Sequence, residues 1–521
     1  MRKPQRLLRE GLIQSAARHP EKTALIVEGQ EYTYGQLLDT SCRVARALLD
    51  RGVKRGDRVA VYMDNTWPCI TSIYGILLAG GAFLMINPQT KADKLQYILR
   101  DSGATVLMTD GHLSRQFVRA VQGLPALRAI IASGNLPESE QLPVTLDLFA
   151  LVIEETFPLD EPTFVIPNDL AALIYTSGST GNPKGVMQTH QAMVFAAWSL
   201  IEYLRLSEQD RILLVLPLAF DYGLYQLLMA MKLGATLIVE RSFTFPGQIY
   251  KKMHEEHATV FPGVPTIFAT MISGHRKKEL IFPEITRITN TAAALPADFI
   301  PWLQEIFPNA LIYKMYGLTE CKRVSYLEPE LVHDKPTSVG QAIPGTEVFL
   351  RTLDGKPVPP GEPGILYVRG PHVMAGYWNQ PELTGEMLKP GLLPGERILC
   401  TGDWFSMDED GFLYFSGRSD DIIKTRGEKV SPVEVEQILH GIDGIKEAVV
   451  VGVDDEQLGQ AICAFVVVRA GCELSDRRIK KMCLARLENF MVPKYIVELS
   501  EMPKTANGKI DKKQLLQSIQ S

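Results

Sequence analysis

The sequence lacks the features that mark several large classes of protein. None of its seven cysteines forms a CxxC pair, so neither a zinc cluster nor a disulfide framework is indicated. No apolar stretch reaches the roughly 20 residues that span a bilayer, and the first residues contain no apolar signal core. No internal repeat is visible either. These absences predict a cytoplasmic protein with reduced thiols and no membrane span.

Basic residues are not in excess. Lysine and arginine number 54 and aspartate and glutamate 60, which gives a formal net charge of -6. A protein whose main partner is nucleic acid is usually basic, so we expect no nucleic-acid partner. The remaining composition, 46% hydrophobic and 22% charged, is that of an ordinary globular protein. A chain of 521 residues can bury a large core without disulfides or metals.

Helical and strand patterns alternate along most of the chain, which predicts an α/β fold with largely parallel sheets. Short apolar runs such as 171–175 are each followed by a turn or a helical stretch. Glycine and proline become dense further along, which indicates a small β-rich, barrel-like subdomain over about 335–419. We place a domain boundary at Asp420. The prediction is a large body of stacked α/β layers at 1–419 and a small, mobile α+β domain at 420–521.

The apolar stretch 173–175 runs into a loop, TSGSTGNPKG at 176–185, whose composition suits an anion. Glycines let backbone N–H groups approach an anion, hydroxyls donate to phosphate oxygens, and a lysine neutralises charge. A lone Gly/Ser loop is usually a surface turn, but this composition directly after a buried strand favours phosphate binding. The loop is not a Walker A motif, because Lys184 follows Pro183 and no Ser or Thr follows it. The predicted phosphate ligands are Thr176, Ser177, Gly178, Ser179, Thr180, Gly181 and Lys184.

A second segment, Tyr316-Gly-Leu-Thr-Glu320, follows the probable strand 311–315. A tyrosine ring can stack on a base, and a glutamate can hold a hard cation through oxygen. Such a segment indicates a nucleotide site, and an ordinary loop is the alternative. Three further segments carry polar residues in distinctive patterns: TGD at 401–403, GRSDDIIKTRGEKVSP at 417–432 and PKTANGKI at 503–510.

Taken together, these motifs resemble those of the adenylate-forming superfamily. That superfamily contains the acyl-CoA synthetases, the amino-acid adenylation domains of peptide synthetases, and the luciferases. The motifs occur in the family's order and cover nearly all of the chain. The resemblance implies that the protein uses ATP and Mg²⁺ to convert a carboxylic acid into acyl-AMP, with release of pyrophosphate. The acyl group then passes to a phosphopantetheine thiol, either of CoA or of a carrier protein.

The resemblance also implies roles for single residues of the body. Tyr316 and Ala293 are expected along the adenine, and Asp403 at the ribose hydroxyls, for which a carboxylate has paired oxygens. Thr319 is expected at a phosphate and Glu320 at Mg²⁺, and both are counted with the catalytic residues. The segment before Ala293 departs from the family, because Thr-Ala stands at 291–292 where many members have two glycines.

Four residues near or beyond the domain boundary receive roles from the same resemblance. Arg418 is expected at the ribose or a phosphate, and Asp420 at the hinge. Gly427 lies on a loop that enters the site for the second half-reaction, and Lys509 is the catalytic lysine. Family members rotate the C-terminal domain between the two steps. A lysine on such a domain offsets developing charge once substrate is bound and water is excluded.

The substrate acid is expected to contact a segment that precedes an apolar helix. Residues 220–225 align by motif context with the part of the family that forms the acyl pocket, and Asp221, Tyr222 and Tyr225 are the predicted substrate-binding residues there. Further pocket candidates by position are Val264, Thr291 and Cys321. The predicted partner is therefore a small carboxylic or amino acid, with a carrier protein as a further possible partner.

Asp221 leaves two interpretations open. Amino-acid-activating members carry an aspartate at this place, where it pairs with the substrate ammonium. A stand-alone amino-acid adenylation enzyme that loads a carrier protein in trans is therefore the alternative to a CoA ligase. In the other interpretation, Asp221 caps the helix that begins near Gly223 or pairs with Arg323. Lys322 and Arg323 directly follow the Glu320 motif, and we expect them to form surface ion pairs rather than to contact an acidic substrate.

Overall fold

The computed structural model describes residues 4–135, 142–176, 183–276, 278–291, 293–418, 421, 423–425, 428–455, 458–487, 489–505 and 509–520. The helices are α1 (Leu8–Arg18), α2 (Tyr34–Asp50), α3 (Trp67–Leu78), α4 (Ala92–Ser102), α5 (Ser114–Ala120), α6 (Phe149–Glu155), α7 (His190–Tyr203), α8 (Asp221–Leu233), α9 (Pro246–Glu255), α10 (Pro265–His275), α11 (Phe299–Ile306), α12 (Pro381–Met387), α13 (Pro432–His440), α14 (Asp476–Leu484) and α15 (Lys512–Gln520). The strands are β1 (Thr23–Val27), β2 (Gln30–Thr33), β3 (Arg58–Tyr62), β4 (Ala82–Ile86), β5 (Val106–Asp110), β6 (Ala129–Ser133), β7 (Thr145–Leu148), β8 (Leu170–Thr176), β9 (Lys184–Thr189), β10 (Arg211–Leu214), β11 (Thr236–Val239), β12 (Val260–Gly263), β13 (Arg287–Asn290), β14 (Leu311–Tyr316), β15 (Ser325–Leu327), β16 (Gln341–Ala342), β17 (Glu347–Arg351), β18 (Gly364–Arg369), β19 (Gly376–Tyr377), β20 (Leu388–Pro390), β21 (Arg397–Met407), β22 (Leu413–Arg418), β23 (Ile423–Thr425), β24 (Glu428–Val430), β25 (Ile445–Asp455), β26 (Gly459–Val468) and β27 (Tyr495–Glu498).

The first of two large sheets has eight strands in the order β19-β9-β8-β4-β3-β5-β6-β7. Strands β3 to β8 pair in parallel, whereas β9 and β19 are antiparallel additions at one edge. Every residue of β4 is buried, as expected for a parallel strand covered on both faces. The apolar stretch before it is the buried helix α3. Among the described residues, no helix combines the length and apolarity that crossing a membrane requires.

The second large sheet has nine strands in the order β16-β15-β14-β13-β12-β10-β11-β1-β2. Its central strands, from β14 to β1, all pair in parallel. The carboxyl ends of parallel strands lie at one edge of a sheet, and ligands of open α/β sheets bind there. The segments that follow β12, β13 and β14 therefore share one edge.

A small β-rich unit follows the two large sheets. It is an antiparallel sheet in the order β17-β18-β21-β20, with β22 on the far part of the long strand β21. The C-terminal part of the chain forms a separate sheet, β24-β23-β26-β25 with β27 beside β26, and packs its helices on cores of its own. The predicted fold class, an α/β body with a small C-terminal domain, is confirmed. The boundary at Asp420 stays a prediction, because that residue lies outside the described residues.

Candidate active site

The segment after β13 lies at the carboxyl edge of the nine-stranded sheet. Asn290 ends β13, and its Nδ2 donates to the carbonyl of Ala293 at 3.0 Å, which fixes the turn between them. Thr291 is buried in this turn, whereas Ala293 is exposed on the wall of a cleft. Val264, at the start of α10, lines the same cleft. Two predicted pocket residues and the predicted adenine residue therefore lie near one another.

Tyr316 ends the next strand, β14, and joins it to the small β-rich unit. Its hydroxyl donates to Oδ2 of Asp403 at 2.5 Å, and its ring packs edge-on against Phe405 with 4.8 Å between ring centroids. Asp403 is almost fully buried in β21, and the backbone of Arg418 in β22 pairs with it. The side chain of Arg418 lies outside what the structure describes. The residues predicted for adenine and ribose are thus in direct contact.

Glu320 lies just beyond Tyr316 and is held by a residue that the sequence did not single out. The Tyr377 hydroxyl donates to Glu320 Oε1 at 2.6 Å, and the backbone N–H of Met374 donates to the Glu320 carbonyl at 2.7 Å. Burial and the Glu320 carboxylate raise the pKa of Tyr377 well above its ordinary value, so the hydroxyl keeps its proton and donates. The neighbouring Thr319 is held through its carbonyl, which accepts from Gln188 Nε2 at 3.1 Å.

The ends of the predicted phosphate loop lie near Tyr377, the residue whose hydroxyl binds Glu320. Thr176 ends β8 and is the register partner of Lys184, which begins β9. Lys184 Nζ lies 5.8 Å from the ring centroid of Tyr377, the tyrosine bound to Glu320. A half-buried carboxylate beside a lysine suits a magnesium–phosphate group, because the carboxylate supplies hard oxygen ligands and the lysine offsets phosphate charge. The loop residues between these ends, Ser177, Gly178, Ser179, Thr180 and Gly181, lie outside the described residues.

The predicted acid pocket is built around the first turns of α8. Asp221 is the first residue of the helix rather than its cap, and it is buried. The Tyr222 hydroxyl donates to the Thr289 carbonyl at 2.7 Å, so Tyr222 ties α8 to β13. The Tyr225 hydroxyl, one turn further, is buried without a hydrogen-bond partner among the described residues. Cys321 is fully buried in the core beneath the small β-rich unit.

The prediction that Lys322 and Arg323 are surface residues is wrong. Both are buried, because the loop after β14 folds back closely on itself: a Cβ on Gly317 would lie 2.1 Å from the Lys322 carbonyl oxygen. The Arg323 guanidinium lies 4.9 Å from the ring centroid of Tyr222, and its Nη1 donates to the Lys322 carbonyl at 2.7 Å. The described residues contain no salt bridge from Arg323 to Asp221. Both cations therefore lie against tyrosines of the predicted acid pocket, Arg323 against Tyr222 and Lys322 against Tyr225.

The C-terminal domain contributes Lys509 to the same region. Its Nζ lies 5.8 Å from the ring centroid of Phe220, the residue before Asp221. The lysine lines a cleft of about 940 Å³ between the body and the C-terminal domain, together with Val264 and Ala293. The loop that carries it is closed by a hydrogen bond from the Thr505 N–H to the Lys509 carbonyl at 2.7 Å. The other two residues predicted for domain movement, Asp420 and Gly427, lie outside the described residues.

Comparison with known proteins places this site in a family. Residues 12–378 match the model of the AMP-binding enzymes, and residues 434–509 match that of the AMP-binding enzyme C-terminal domain. The chain belongs to the AMP-binding enzyme family. The resemblance inferred from the sequence motifs is thereby confirmed for both parts of this AMP-binding enzyme.

Relatives of this AMP-binding enzyme include ligases and peptide synthetases. A long-chain-fatty-acid–CoA ligase of Bacillus subtilis is 32% identical, over 99% of this chain and 95% of the relative. Gramicidin S synthase 2 of Brevibacillus brevis is 30% identical over 95% of this chain, but the chain spans only 11% of that relative.

Solved structures are similar over the whole length as well. An anthranilate CoA ligase in complex with anthranoyl-AMP has a TM-score of 0.89 at 27% identity and covers 99% of this chain and 97% of its own. A benzoate CoA ligase from Burkholderia xenovorans LB400 has a TM-score of 0.87 at 28% identity, over 98% of this chain and 99% of its own. With its family, its relatives and its full-length likeness to CoA ligases, this AMP-binding enzyme is an AMP-forming ligase.

Proposed function

We propose that this ligase activates a small carboxylic acid with ATP and then transfers the acyl group to the thiol of CoA. One observation carries the proposal. The loop after β14 brings Tyr316 onto Asp403 and Glu320 onto Tyr377, whose ring also faces Lys184. Lys509 lies across the cleft near Phe220. These contacts support a nucleotide site and an acid pocket that a C-terminal cation completes, so that all three would act on one reacting carboxylate.

In the first step the substrate carboxylate attacks the α-phosphorus of ATP, and pyrophosphate leaves. Two anions must meet, and Mg²⁺, when bound, offsets part of their repulsion. Glu320 would hold the metal, and Thr319, Lys184 and the phosphate loop would hold the phosphates. Lys509 would neutralise charge near the reacting carboxylate.

In the same proposal the nucleotide is held by residues that the body supplies. The ring of Tyr316 and the backbone around Ala293 flank the adenine, and Asp403 with Arg418 binds the ribose. The acid lies between α8 and the turn after β13, beside Tyr225, Val264 and Thr291. In the second step a thiol attacks the acyl-AMP, and AMP leaves.

A second candidate is a stand-alone amino-acid adenylation enzyme that loads a carrier protein, and the buried position of Asp221 favours it. However, the ammonium of Lys322 already acts electrostatically on this carboxylate. A substrate ammonium at Asp221 would face the like charge of Lys322 at close range. An acid without an ammonium, transferred to CoA, therefore has the better support.

Acid-dependent exchange of labelled pyrophosphate into ATP tests the proposal directly. We expect exchange with a limited set of carboxylic acids, and thioester formation when CoA is added. A parallel reaction with a phosphopantetheinylated carrier protein separates the two thiols. Absence of exchange with every fatty, aryl, dicarboxylic and amino acid would contradict adenylation. Exchange with amino acids alone, abolished by Asp221→Ala, would instead support the second candidate.

A further inference from the structure

The wall of the acid pocket contains two polar groups that the protein itself leaves unsatisfied. Lys322 and Tyr225 are each 1% exposed, and neither Lys322 Nζ nor the Tyr225 hydroxyl has a hydrogen-bond partner in the described part of the chain. The two lie together, because Lys322 Nζ is 6.0 Å from the centroid of the Tyr225 ring. Buried donors are nearly always paired, and a buried unpaired ammonium is especially unfavourable. These two groups therefore indicate a missing ligand.

The charges around Lys322 show which kind of ligand would fit. Two carboxylates act on its ammonium, those of Asp221 and Glu320, and Arg323 opposes them. Glu320 is already bound to Tyr377. If Glu320 holds Mg²⁺, as proposed, the metal offsets the charge of that carboxylate. The buried cations Lys322 and Arg323 then outnumber the one remaining carboxylate, Asp221.

We propose that the acid activated by this enzyme is a dicarboxylic acid, whose second carboxylate binds Lys322 Nζ and the Tyr225 hydroxyl while the first is adenylated. The inference rests on the proposed function and adds the substrate class. A second carboxylate supplies the acceptors that both donors lack and offsets the excess charge. An alkyl end would leave the ammonium unpaired, and a substrate ammonium would meet two cations.

Pyrophosphate exchange with matched acids tests the inference. Dicarboxylic acids of increasing length are each compared with their half-amide and with the monocarboxylic acid of equal length. For the best length, we expect kcat/KM to be about 100-fold higher for the dicarboxylate than for the half-amide, since a buried charge pair is involved. Lys322→Met should bring this ratio close to one, and Tyr225→Phe should lower it about fivefold, because it removes a single hydroxyl.

Lys232→Met is the matched control. Lys232 is a half-buried lysine at the other end of α8, where its Nζ donates to Gln5 Oε1 at 2.8 Å. Its replacement should leave the ratio unchanged. If Lys322→Met does not fold, Tyr225→Phe still tests whether the pocket binds a second carboxylate, because this substitution removes only the hydroxyl.

Several outcomes would overturn the inference while leaving the proposed function intact. One is exchange by the unaltered enzyme that favours monocarboxylates, half-amides or amino acids. Another is an unchanged ratio in folded Lys322→Met or Tyr225→Phe. Absence of exchange with any acid is a different result, because it overturns the proposed function as well.

Discussion

At the scale of single residues, one hydrogen bond joins the two halves of the candidate nucleotide site. Tyr316 and Asp403 are 87 positions apart in the chain, and the hydroxyl of the first donates to the carboxylate of the second. Asp403 is 5% exposed, so few other donors can reach it from solvent. The bond therefore fixes the carboxylate in the orientation in which we expect it to meet a ribose.

Tyr316→Phe tests this bond, because it keeps the ring for stacking and removes only the hydroxyl. We expect KM for ATP to rise about tenfold, the usual effect of losing a hydrogen bond to a charged group, with a smaller change in kcat. Pyrophosphate exchange at varied ATP concentration measures both. The control is Tyr326→Phe. It removes a similar hydrogen bond, from the Tyr326 hydroxyl to Glu328 Oε1 at 2.6 Å, that lies outside the nucleotide site. An equal rise in both variants would mean that the effect is not specific to nucleotide binding.

Single residues also show where sequence reasoning ended. The motifs identified Tyr316, Glu320 and Asp403, because their residue types and spacing carry the chemistry. They did not identify Tyr377, which lies in a two-residue strand and reaches Glu320 only because β19 pairs with β9. They also placed Lys322 at the surface, where lysines usually lie. Its burial depends on the close approach of the Lys322 backbone to Gly317, which cannot be predicted from the local sequence pattern.

At the scale of elements, α8 depends on a close contact at Gly223. A Cβ on this residue would lie 2.3 Å from the carbonyl oxygen of Pro217, in the loop that leads into the helix. The backbone of this loop thus packs directly against the backbone of α8 at Gly223, where there is no room for a side chain. Because the first two turns of α8 carry Asp221 and Tyr225, the contact sets the position of the predicted acid pocket.

Gly223→Ala should therefore disturb both stability and substrate binding. We expect a loss of about 1–3 kcal/mol in the free energy of unfolding, the usual cost of overpacking, and a raised KM for the acid. Urea unfolding and pyrophosphate exchange measure the two effects. The control is Gly247→Ala in α9, where a Cβ meets nothing within 4 Å. That variant should be neutral or slightly stabilising, since alanine favours a helix more than glycine does. Similar losses in both variants would refute the role of the close contact.

The junction of α1 and α7 predicts how stability depends on pH. His190 is 1% exposed, and its Nδ1 accepts the Leu8 N–H at 3.3 Å, while burial and then Arg9 lower its pKa to about 4. In the unfolded chain His190 binds a proton near pH 6.5, whereas in the folded protein it stays neutral until about pH 4. The contribution of neutral, buried His190 to the free energy of unfolding is therefore complete above pH 6.5 and is lost as the pH falls toward 4. In His190→Asn the urea concentration at the unfolding midpoint should change less between pH 6.5 and 4 than in the unaltered protein. Replacing the exposed His333 should leave this pH dependence unchanged. If the urea midpoint of His190→Asn still falls as steeply with pH, other titratable groups cause the pH dependence.

Elements were the level that the sequence predicted best. The apolar run 171–175 lies within β8, and the predicted strand 311–315 is β14, because short apolar runs between turns leave little choice. Ser475 caps α14, and its side chain accepts the Arg478 N–H, the usual role of a serine before a helix. The order of strands within each sheet was beyond reach, since it depends on contacts distant in sequence.

At the scale of the whole molecule, the chain is two units with separate cores that meet at a cleft. The C-terminal cores draw on residues after 420, and Lys509 crosses the cleft to Phe220 on the body. Lys509 can act at the acid only while the two units hold this arrangement. If the second step needs another loop in the same place, it requires a different arrangement of the two units, and for this reason we expect a hinge between them.

Lys509→Ala and a bulky substitution at Gly427 should therefore impair opposite half-reactions. Lys509→Ala should lower acyl-AMP formation by at least about 100-fold, since it removes a cation from the reacting anions, and should spare thioester formation from supplied acyl-AMP. Gly427→Val should do the reverse, because Gly427 is expected on the loop that enters the site for thiol attack. Pyrophosphate exchange follows the first step, and thioester release from supplied acyl-AMP follows the second.

The control for this pair is Lys494→Ala, which removes another C-terminal lysine, one that pairs with Asp455 within its own domain. Both half-reactions should continue in that variant. Equal loss of both steps in Lys509→Ala would mean that the lysine holds the domains together rather than acting on one reaction. Equal loss of both half-reactions in Gly427→Val would contradict the prediction that the loop of Gly427 enters the site for thiol attack. A split in opposite directions requires one site to be completed in turn by two parts of the same small domain.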